Sequence, residues 1–308
     1  MSLFECRTQF QTGLIDKPGY IDAMFNLHSR LFEYSNFIKN TDIASIEIQE
    51  AGLIITLKPN GIKLMCESLD KRTAPIETLN FNAYEPVEAN MVFRLLDPHM
   101  VFFDIGANIG WYSIQVAKHD PTIKVYSFEP IPQTYSVFNK NIALNKLTNV
   151  KPYNMGFSDN NQDLVFYFDS LASGNASARN LTDNASLQKI TSKTEKLDDF
   201  FSKSKLEQLD FIKCDVEGAE LLVFQGGLDV LKTHQPIIFT EMLRKWSEKF
   251  DYHPNAIIDL LAGLGYGCFT PKNDKLVRFS RMDDETIETN FFFLHQVKHA
   301  AKIQELSV

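Results

Sequence analysis

Four residues at two-residue spacing form the motif with the clearest chemical meaning. In the segment 101–114, VFFDIGANIGWYSI, Asp104 lies near the end of an apolar run, and Gly106, Asn108 and Gly110 follow before a helical pattern begins. The segment predicts a buried strand, a tight turn and a helix N-terminus, which together present N–H groups to a small charged ligand. Asn108 tolerates a left-handed backbone. Asp104 either holds the turn or accepts a hydrogen bond from a ligand's ammonium group.

A further acidic residue, Glu129, ends the next apolar run, KVYSFEP. A carboxylate at the end of the second strand of a nucleotide-binding fold accepts hydrogen bonds from ribose hydroxyls. The turn has the form D-x-G-x-N-x-G and lacks the G-x-G-x-x-G of dinucleotide-binding proteins. Together these features indicate a nucleoside-binding α/β enzyme, and they favour S-adenosylmethionine over NAD as its cofactor.

The turn after the third apolar run supplies candidate contacts to the adenine end of the cofactor. Phe157, Ser158 and Asp159 stand in sequence there, with an aromatic ring that can stack and a carboxylate that can accept from an exocyclic amine. An Asx-type turn explains the same residues equally well.

Three acidic residues that follow later strands are the candidate catalytic bases. Asp215 follows DFIKC, Glu217 opens the next segment, and Glu241 ends PIIFTE. Ligands bind outside the carboxyl ends of the strands of an open parallel sheet, which is where these carboxylates would lie. Asp215 with Glu217 or Glu241 can also hold a divalent cation, although we expect no metal ion. Glu217 can instead serve only to favour a helix N-terminus, and His234 is a weaker candidate base.

Strand-like and helix-like segments alternate from Val101 onward, and this alternation predicts how the polar residues are positioned. Near-continuous apolar strands separated by helices are typical of a parallel sheet covered on both faces. GAELLVFQGGLDVLK predicts one helix, and YGCFTP and NFFFLH predict an antiparallel hairpin at one edge of the sheet. The polar stretch LASGNASARNLTDNAS interrupts the alternation between two extended segments, and it is either a surface loop or a lid over the site.

The first 80 residues have a different pattern and predict a small α+β appendage. Residues 18–38 carry a helical apolar stripe, and short strands follow between residues 45 and 66, with Pro59-Asn60-Gly61 as a hairpin turn. Residues 84–96 predict a helix that leads into the main unit. We therefore expect an appendage at 1–80 and a catalytic domain at 81–308.

The composition excludes several classes of protein. A net charge of −8 gives no basic face for broad nucleic-acid binding. The four cysteines include no C-x-x-C pair, which disfavours a cysteine zinc site. The N-terminus lacks a signal-peptide pattern and the apolar runs are shorter than a membrane span. We expect a reduced, cytoplasmic chain whose oligomeric state the sequence leaves open.

The motifs DIGANIGWYSI, SFEP, GFSD, LDDF and IKCDVEGAELLVFQG together resemble the FkbM family of S-adenosylmethionine-dependent methyltransferases. The resemblance runs from about Tyr84 to the C-terminus, and the D-x-E-G-x-E element at 215–220 is its most specific part. It implies a Rossmann-like class I fold, α/β, with a seven-stranded, mostly parallel sheet and an antiparallel edge strand. It places Asp215 and Glu217 on the family's acidic signature, and it places these residues on the cofactor motifs: Asp104, Gly106, Asn108, Gly110 and Glu129.

The resemblance also implies O-methylation, commonly of sugar or polyketide-like hydroxyls. We expect an in-line attack of the acceptor oxygen on the methyl group, with an acidic general base, on a small-molecule or carbohydrate acceptor. Three alternatives remain: an N-methyltransferase, an NAD-dependent oxidoreductase, which the turn motif disfavours, and a non-catalytic S-adenosylmethionine-binding partner of another enzyme.

Overall fold

The computed structural model describes residues 1–307 and begins with a helical hairpin. Its two helices are α1 (Leu3–Gln11) and α2 (Lys17–Phe37). Ser2 accepts a hydrogen bond from the N–H of Glu5, and Asp16 accepts one from the N–H of Gly19. These caps satisfy free N–H groups of the first turns, which explains where both helices begin. The apolar pattern predicts α2 but gives no indication of α1.

A small antiparallel sheet follows the hairpin, as predicted. Its strands, in the order β1-β2-β3, are β1 (Ile43–Gln49), β2 (Gly52–Leu57) and β3 (Lys63–Cys66). The Oδ1 atom of Asn60 accepts a hydrogen bond from the N–H of Ile62, 3.1 Å away, and closes the expected turn between β2 and β3. α3 (Ala74–Phe81), which the pattern does not indicate, and the expected α4 (Pro86–Leu95) then lead to the main sheet.

The rest of the described chain alternates strands and helices. The strands are β4 (Val101–Ile105), β5 (Lys124–Phe128), β6 (Val150–Tyr153), β7 (Gly156–Phe157), β8 (Gln162–Phe168), β9 (Gln188–Glu195), β10 (Phe211–Cys214), β11 (Ile237–Glu241), β12 (Tyr266–Lys272), β13 (Lys275–Phe279) and β14 (Asn290–His295). The helices are α5 (Trp111–His119), α6 (Pro132–Leu144), α7 (Leu197–Ser204), α8 (Glu220–Gln225), α9 (Leu228–His234), α10 (Arg244–Ser247), α11 (Asn255–Gly263) and α12 (Ala300–Leu306). Short 3₁₀ turns lie at Ile38–Asn40, Ser173–Asn175 and Glu248–Phe250.

The central sheet, as far as residues 1–307 define it, has eight strands in the order β13-β12-β14-β11-β10-β4-β5-β6. β6, β5, β4, β10 and β11 are parallel, and β14 is antiparallel to both β11 and β12. The predicted mostly parallel sheet with an antiparallel edge strand is confirmed, but the predicted number of seven strands is wrong, because the described sheet has eight. NFFFLH, however, forms β14 inside the sheet, and the edge strand is the additional β13. β13 exists because Asn273 and Asp274 both adopt the left-handed backbone of a two-residue hairpin turn.

Alternate residues of the central strands feed two separate cores. Phe102 and Phe211 pack on the face that the N-terminal sheet, α4 and α5 cover. Phe103 and Ile212 point to the opposite face, against α7, α8 and α11. Burial on both faces explains why these strands are apolar at nearly every position.

A third sheet, in the order β7-β9-β8, contains the extended segments on either side of the polar loop. The third apolar run, VKPYNMGF at 150–157, indicates one strand but is divided: β6 belongs to the central sheet, and β7 pairs in parallel with β9. β8 and β9 form an antiparallel hairpin that carries the loop 169–187 at its end. This loop is thereby held on a regular element beside the main sheet.

The predicted helix after Gly218 consists of two helices, α8 and α9, which meet at Gly226-Gly227. A Cβ atom on Gly226 would lie 2.2 Å from the carbonyl oxygen of Ser158, so only glycine permits this contact. A single-helix prediction is therefore wrong at this point, because periodicity does not register a close approach of two backbones.

Cys6, Cys66, Cys214 and Cys268 are buried and unbridged. Among residues 1–307, we find no helix with the length and apolar character needed to cross a membrane.

Candidate active site

A cavity of about 490 Å³ opens at the carboxyl ends of the parallel strands. Its wall includes Gly106 after β4, Glu129 after β5, Asp215 after β10 and Glu241 at the end of β11. A volume of this size lies within the range of small-molecule and cofactor sites, roughly 300–1,000 Å³. The sheet therefore brings candidate residues from distant parts of the sequence to one edge, as the topology predicts.

The turn after β4 alternates left-handed residues with ordinary ones. Gly106, Asn108 and Gly110 have φ angles of 76°, 49° and 90°. A Cβ on Gly106 would lie 1.8 Å from the carbonyl oxygen of Asp215. Glycine at this position therefore lets the turn after β4 lie directly against the loop after β10.

Asp104 lies beneath this turn and is 1% exposed. Its Oδ2 atom accepts hydrogen bonds from the N–H and the hydroxyl of Ser113 in the first turn of α5, at 3.0 and 2.5 Å. Asp104 does not line the cavity. Of its two expected roles, the structure therefore gives it the one of holding the turn and the start of α5.

Glu129 is buried against the turn and lines the cavity. Its Oε2 atom accepts the N–H of Asn108, and its Oε1 atom accepts the N–H of Ile131, both at 2.9 Å. A carboxylate has about four acceptor positions, so each oxygen can still accept a ribose hydroxyl. Burial raises the pKa of Glu129 to about 7, against the opposing effect of these hydrogen bonds.

Most N–H groups of the turn are already used within the protein. Those of Gly106 and Ala107 both donate to the carbonyl of Phe128, and that of Ile109 donates to the side chain of Asn108. The side chains that line the cavity, more than the turn's own N–H groups, therefore determine which ligand it accepts.

Ser158 and Asp159 occupy the end of the cavity near β7. Ser158 lines it, whereas Asp159 lies behind and accepts a hydrogen bond from the Ser158 hydroxyl, 3.1 Å away. Phe157 also reaches the cavity wall. The predicted adenine-side residues are thus brought to one place, with Asp159 as a support for Ser158.

Asp215, Glu217 and Glu241 converge on the opposite side. Each presents a carboxylate oxygen, and these oxygens lie within 4.8 Å of one another. Oδ1 of Asp215 and Oε2 of Glu217 are buried, and neither has a hydrogen-bond partner among the residues that the structure describes. Burial, followed by the negative charge of Asp215, raises the pKa of Glu217 and of Glu241 well above the usual carboxyl range. We refer to these three residues as the acidic cluster.

Lys213 is a cavity-lining residue that sequence reasoning missed. Its Nζ donates to the carbonyl of Gly106 at 2.9 Å, and it lies 3.3 Å from Oδ2 of Asp215 and 3.6 Å from Oδ1 of Asp104. Burial acts to lower the pKa of Lys213, but the surrounding carboxylates outweigh it and raise this pKa. The sequence does contain an indication of this role, because Lys213 stands within an otherwise apolar strand. A buried lysine is rare unless its charge is paired.

Three carboxylates at this spacing are also a ligand set for a divalent cation. Nζ of Lys213, 3.3 Å from Oδ2 of Asp215, places a positive charge beside this set of carboxylates.

Glu220 braces the loop that carries the acidic cluster. Its Oε1 atom accepts the N–H groups of Val216 and Gly218, and its Oε2 atom accepts the hydroxyl of Tyr252. These bonds hold Glu217 in its left-handed conformation, with a φ of 54°. The second glutamate of the D-x-E-G-x-E element is thus structural, and the first faces the cavity.

The polar loop forms a wall of the cavity through residues 173–178. Ser177 donates its hydroxyl to the carbonyl of Glu217 at 2.8 Å, and Asp70 accepts the N–H of Ser173 at 3.0 Å. The loop is therefore tied both to the acidic cluster and to the N-terminal region. Of the two predicted alternatives, a surface loop or a lid, this placement agrees with a lid over the site.

The residues present fit S-adenosylmethionine. Glu129 offers free acceptor positions to hydroxyls, and the cavity between it and the acidic cluster is lined by several carboxylates that favour a cationic ligand. The strand order, the strand–turn–helix at β4 and the acid after β5 define a class I, Rossmann-like, S-adenosylmethionine-dependent methyltransferase.

The family can now be stated. The model of the Methyltransferase FkbM domain matches residues 104–268, which is more than half of the chain, and the chain belongs to this family. The predicted resemblance is confirmed, and so is S-adenosylmethionine as the cofactor of the class.

Individual relatives share only low sequence identity with this chain. The methyltransferase sdnD of Sordaria araneosa is 27% identical over 212 residues, covering 55% of this chain and 80% of sdnD. The 2-O-methyltransferase NoeI of Sinorhizobium fredii is 27% identical over 224 residues, covering 68% of this chain and 86% of NoeI. Among solved structures, the methyltransferase FkbM from Methylobacillus flagellatus KT matches with a TM-score of 0.40 and 14% identity. That match covers 63% of this chain and less than half, 43%, of the other.

Proposed function

We propose that this protein transfers a methyl group from S-adenosylmethionine to a hydroxyl oxygen of a small molecule or sugar. The observation that carries this proposal is the acidic cluster, whose carboxylate oxygens lie within 4.8 Å of one another in the same cavity as Glu129. An alcohol is a poor nucleophile until a base takes its proton, and the cluster offers such bases. The name of NoeI, a 2-O-methyltransferase, points to the same chemistry.

In this proposal the cofactor is held by the turn after β4 and by Glu129. Gly106, Asn108 and Gly110 shape the surface, Glu129 accepts the ribose hydroxyls, and Ser158, supported by Asp159, contacts the adenine end. Asp104 keeps the turn and the start of α5 in place. When bound, S-adenosylmethionine supplies an electrophilic methyl group on a sulfonium.

Glu217 or Glu241 acts as the general base in this proposal. A base works best when its pKa approaches the working pH, and burial raises the pKa of both groups toward that range. The acceptor's oxygen–carbon bond forms as the methyl–sulfur bond breaks, and the hydroxyl proton passes to the carboxylate. Lys213 orients Asp215 beside them through the 3.3 Å contact. Such general-base help is worth about 10²–10⁴-fold in rate.

The test is to incubate the purified protein with methyl-labelled S-adenosylmethionine and matched hydroxyl and amine acceptors, and to locate the label by NMR. An O-methyl product is the expected result. Glu217→Gln and Glu241→Gln, assayed separately, should show at least one loss of kcat of about 10²-fold or more. Their cofactor affinity should stay near that of the parent protein. Glu207→Gln, at an exposed site, is the matched control.

Other outcomes would support the alternatives. Label on nitrogen only, with little effect of either substitution, would favour an N-methyltransferase. Tight cofactor binding without turnover on any acceptor would favour a non-catalytic partner protein.

A further inference from the structure

The surface of α2 carries an unpartnered apolar stripe. The helix has 21 residues, about 31 Å in length at 1.5 Å per residue, and none of its side chains is buried. Ile21, Phe25 and Phe32 are 55%, 62% and 67% exposed. A helix of a monomeric domain normally turns such a stripe toward a core, so this arrangement calls for a partner.

The spacing of the stripe is that of a coiled-coil seam. Ile21, Phe25, His28 and Phe32 follow one another at intervals of four, three and four residues, which places them on one face as alternating d and a positions. Met24 and Leu31 flank them at equivalent positions. We call this set, Ile21, Met24, Phe25, His28, Leu31 and Phe32, the α2 seam.

The rest of the hairpin leaves this seam free. α1 packs beside α2 through stacked rings of Phe10 and Tyr20, whose centroids are 4.4 Å apart. At the other end, Nζ of Lys58 donates to the carbonyls of Ile38 and Lys39, just after α2, at 3.0 and 2.9 Å. The helix is thus fixed at both ends, with the seam on the outside.

We propose that the α2 seam binds the α2 seam of a second copy of this chain, antiparallel and across a two-fold axis. An isologous contact requires the same patch to be complementary to itself. Antiparallel pairing centred between Asn26 and Leu27 satisfies this condition: Ile21 faces the partner copy's Phe32, and Phe25 faces its His28. The flanking Met24 then lies on the same side of the seam as the partner copy's Leu31, offset from it by two residues along the helix. Each d position meets an a position, and no charged side chain enters the seam.

The hairpin carries further exposed apolar side chains beside the α2 seam. The hairpin exposes ten large apolar side chains: Leu3, Phe4, Phe10, Leu14, Ile21, Phe25, Leu31, Phe32, Tyr34 and Phe37. Four of them, Ile21, Phe25, Leu31 and Phe32, belong to the α2 seam and present about 400 Å² per copy at roughly 100 Å² apiece. The ~800 Å² per partner of a stable interface is therefore reached only if the contact extends from the seam to neighbouring apolar side chains of the hairpin.

The charges favour a protein partner over a membrane surface. Residues 1–40 contain four acidic side chains, Glu5, Asp16, Asp22 and Glu33, and four basic ones, Arg7, Lys17, Arg30 and Lys39. Helices that lie on anionic lipid are rich in lysine and arginine on the polar face, and this hairpin has no such excess. The proposal goes beyond methyl transfer and does not depend on it.

Sedimentation equilibrium of the full chain tests the proposal. We expect a species of twice the 35.2 kDa chain mass, and Phe25→Glu should weaken the dimer at least about 100-fold, because it buries an unpaired charge. Asn26→Glu is the matched control: this exposed side chain lies on the other side of α2, and the dimer should persist. Unchanged thermal unfolding of the secondary structure at low concentration shows that the variants fold.

A paired substitution tests the antiparallel register. Phe25→Lys alone should dissociate the dimer, and the double variant Phe25→Lys with His28→Glu should restore it, since each introduced lysine then faces an introduced glutamate. Parallel pairing would set lysine against lysine, so absence of rescue would overturn the register. A monomeric parent protein, or a dimer that tolerates Phe25→Glu, would overturn the interface. Seam-dependent binding of a monomer to phosphatidylcholine vesicles would assign the seam to a lipid surface instead.

Discussion

The turn after β4 and the loop after β10 lie against each other at Gly106, yet their polar groups are used in opposite ways. Beside the turn, both carboxylate oxygens of Glu129 accept hydrogen bonds from the backbone that they organise. Oδ2 of Asp104 accepts two hydrogen bonds from Ser113, and its buried Oδ1, which accepts none within residues 1–307, lies 3.6 Å from Nζ of Lys213. In the acidic cluster, oxygens of Asp215 and Glu217 have no partner within the described chain. Buried unpaired groups are costly and rare. The contrast indicates that the cofactor side is built by folding, whereas the acidic side is completed by its ligand.

Lys213 joins the two regions, and removing it should have the largest effect on stability. Lys213→Met leaves the buried Asp104 without its positive neighbour, so we expect the free energy of unfolding to fall by about 3–5 kcal/mol. Urea denaturation followed by circular dichroism measures this. Arg30→Met, which breaks the exposed pair with Glu33, is the control and should cost no more than about 1 kcal/mol. Equal losses would mean that Lys213 is not the link between the regions.

A substitution of Glu129 tests whether the region around the turn after β4 binds the cofactor. Glu129→Gln should weaken S-adenosylmethionine binding by roughly 1.5–3 kcal/mol, about 10- to 150-fold, since it removes a charged acceptor. Calorimetric titration gives the affinity, with Glu207→Gln as the control. An unchanged affinity would show that the ribose is bound elsewhere, and the contrast between the regions would then lose its functional meaning.

The two regions should also titrate differently. Burial raises the pKa of Glu129 to about 7, so this side chain becomes neutral below that pH, and cofactor affinity should fall toward that of the Glu129→Gln variant. Turnover at saturating cofactor should instead follow the acidic cluster. It should increase with pH as Glu217 or Glu241 loses its proton, with a midpoint above the usual carboxyl range. Affinity and kcat measured across pH, for the parent protein and Glu129→Gln, separate the two titrations. A flat affinity profile would contradict the first assignment.

The sequence predicts the fold well wherever the periodicity of apolar residues determines the secondary structure. Apolar strands alternating with helices led to the parallel sheet, and strand ends located Glu129, Asp215 and Glu241 at one edge. Predictions were wrong where a contact distant in sequence determines the backbone. α8 and α9 are separate helices that meet at Gly226-Gly227, where the backbone of Gly226 lies against that of Ser158, and β7 pairs with β9 outside the central sheet.

In the candidate site, too, local residue patterns predict some features and contacts between distant segments determine the others. Residue types at strand ends indicated the acidic cluster, but its unpaired oxygens depend on contacts between distant segments, which no local pattern encodes. Lys213 had a local signal, its position in an apolar strand, but its partners Asp104 and Gly106 follow only from the packing of β10 against β4. Asp104 was expected either to hold the turn or to bind the ligand, and only its burial beneath the turn favours the first role.

The hydrogen bond between Asp70 and Ser173 has a practical consequence for engineering. With the neighbouring bond from the N–H of Lys71 to the carbonyl of Leu171, it fastens the polar loop to the segment between β3 and α3. Transplanting this loop into another enzyme to alter its acceptor range would leave the graft without its anchor to the N-terminal region, and only the contact of Ser177 with Glu217 would have an equivalent there. A productive chimera has to exchange residues 67–73 and 169–187 as one cassette.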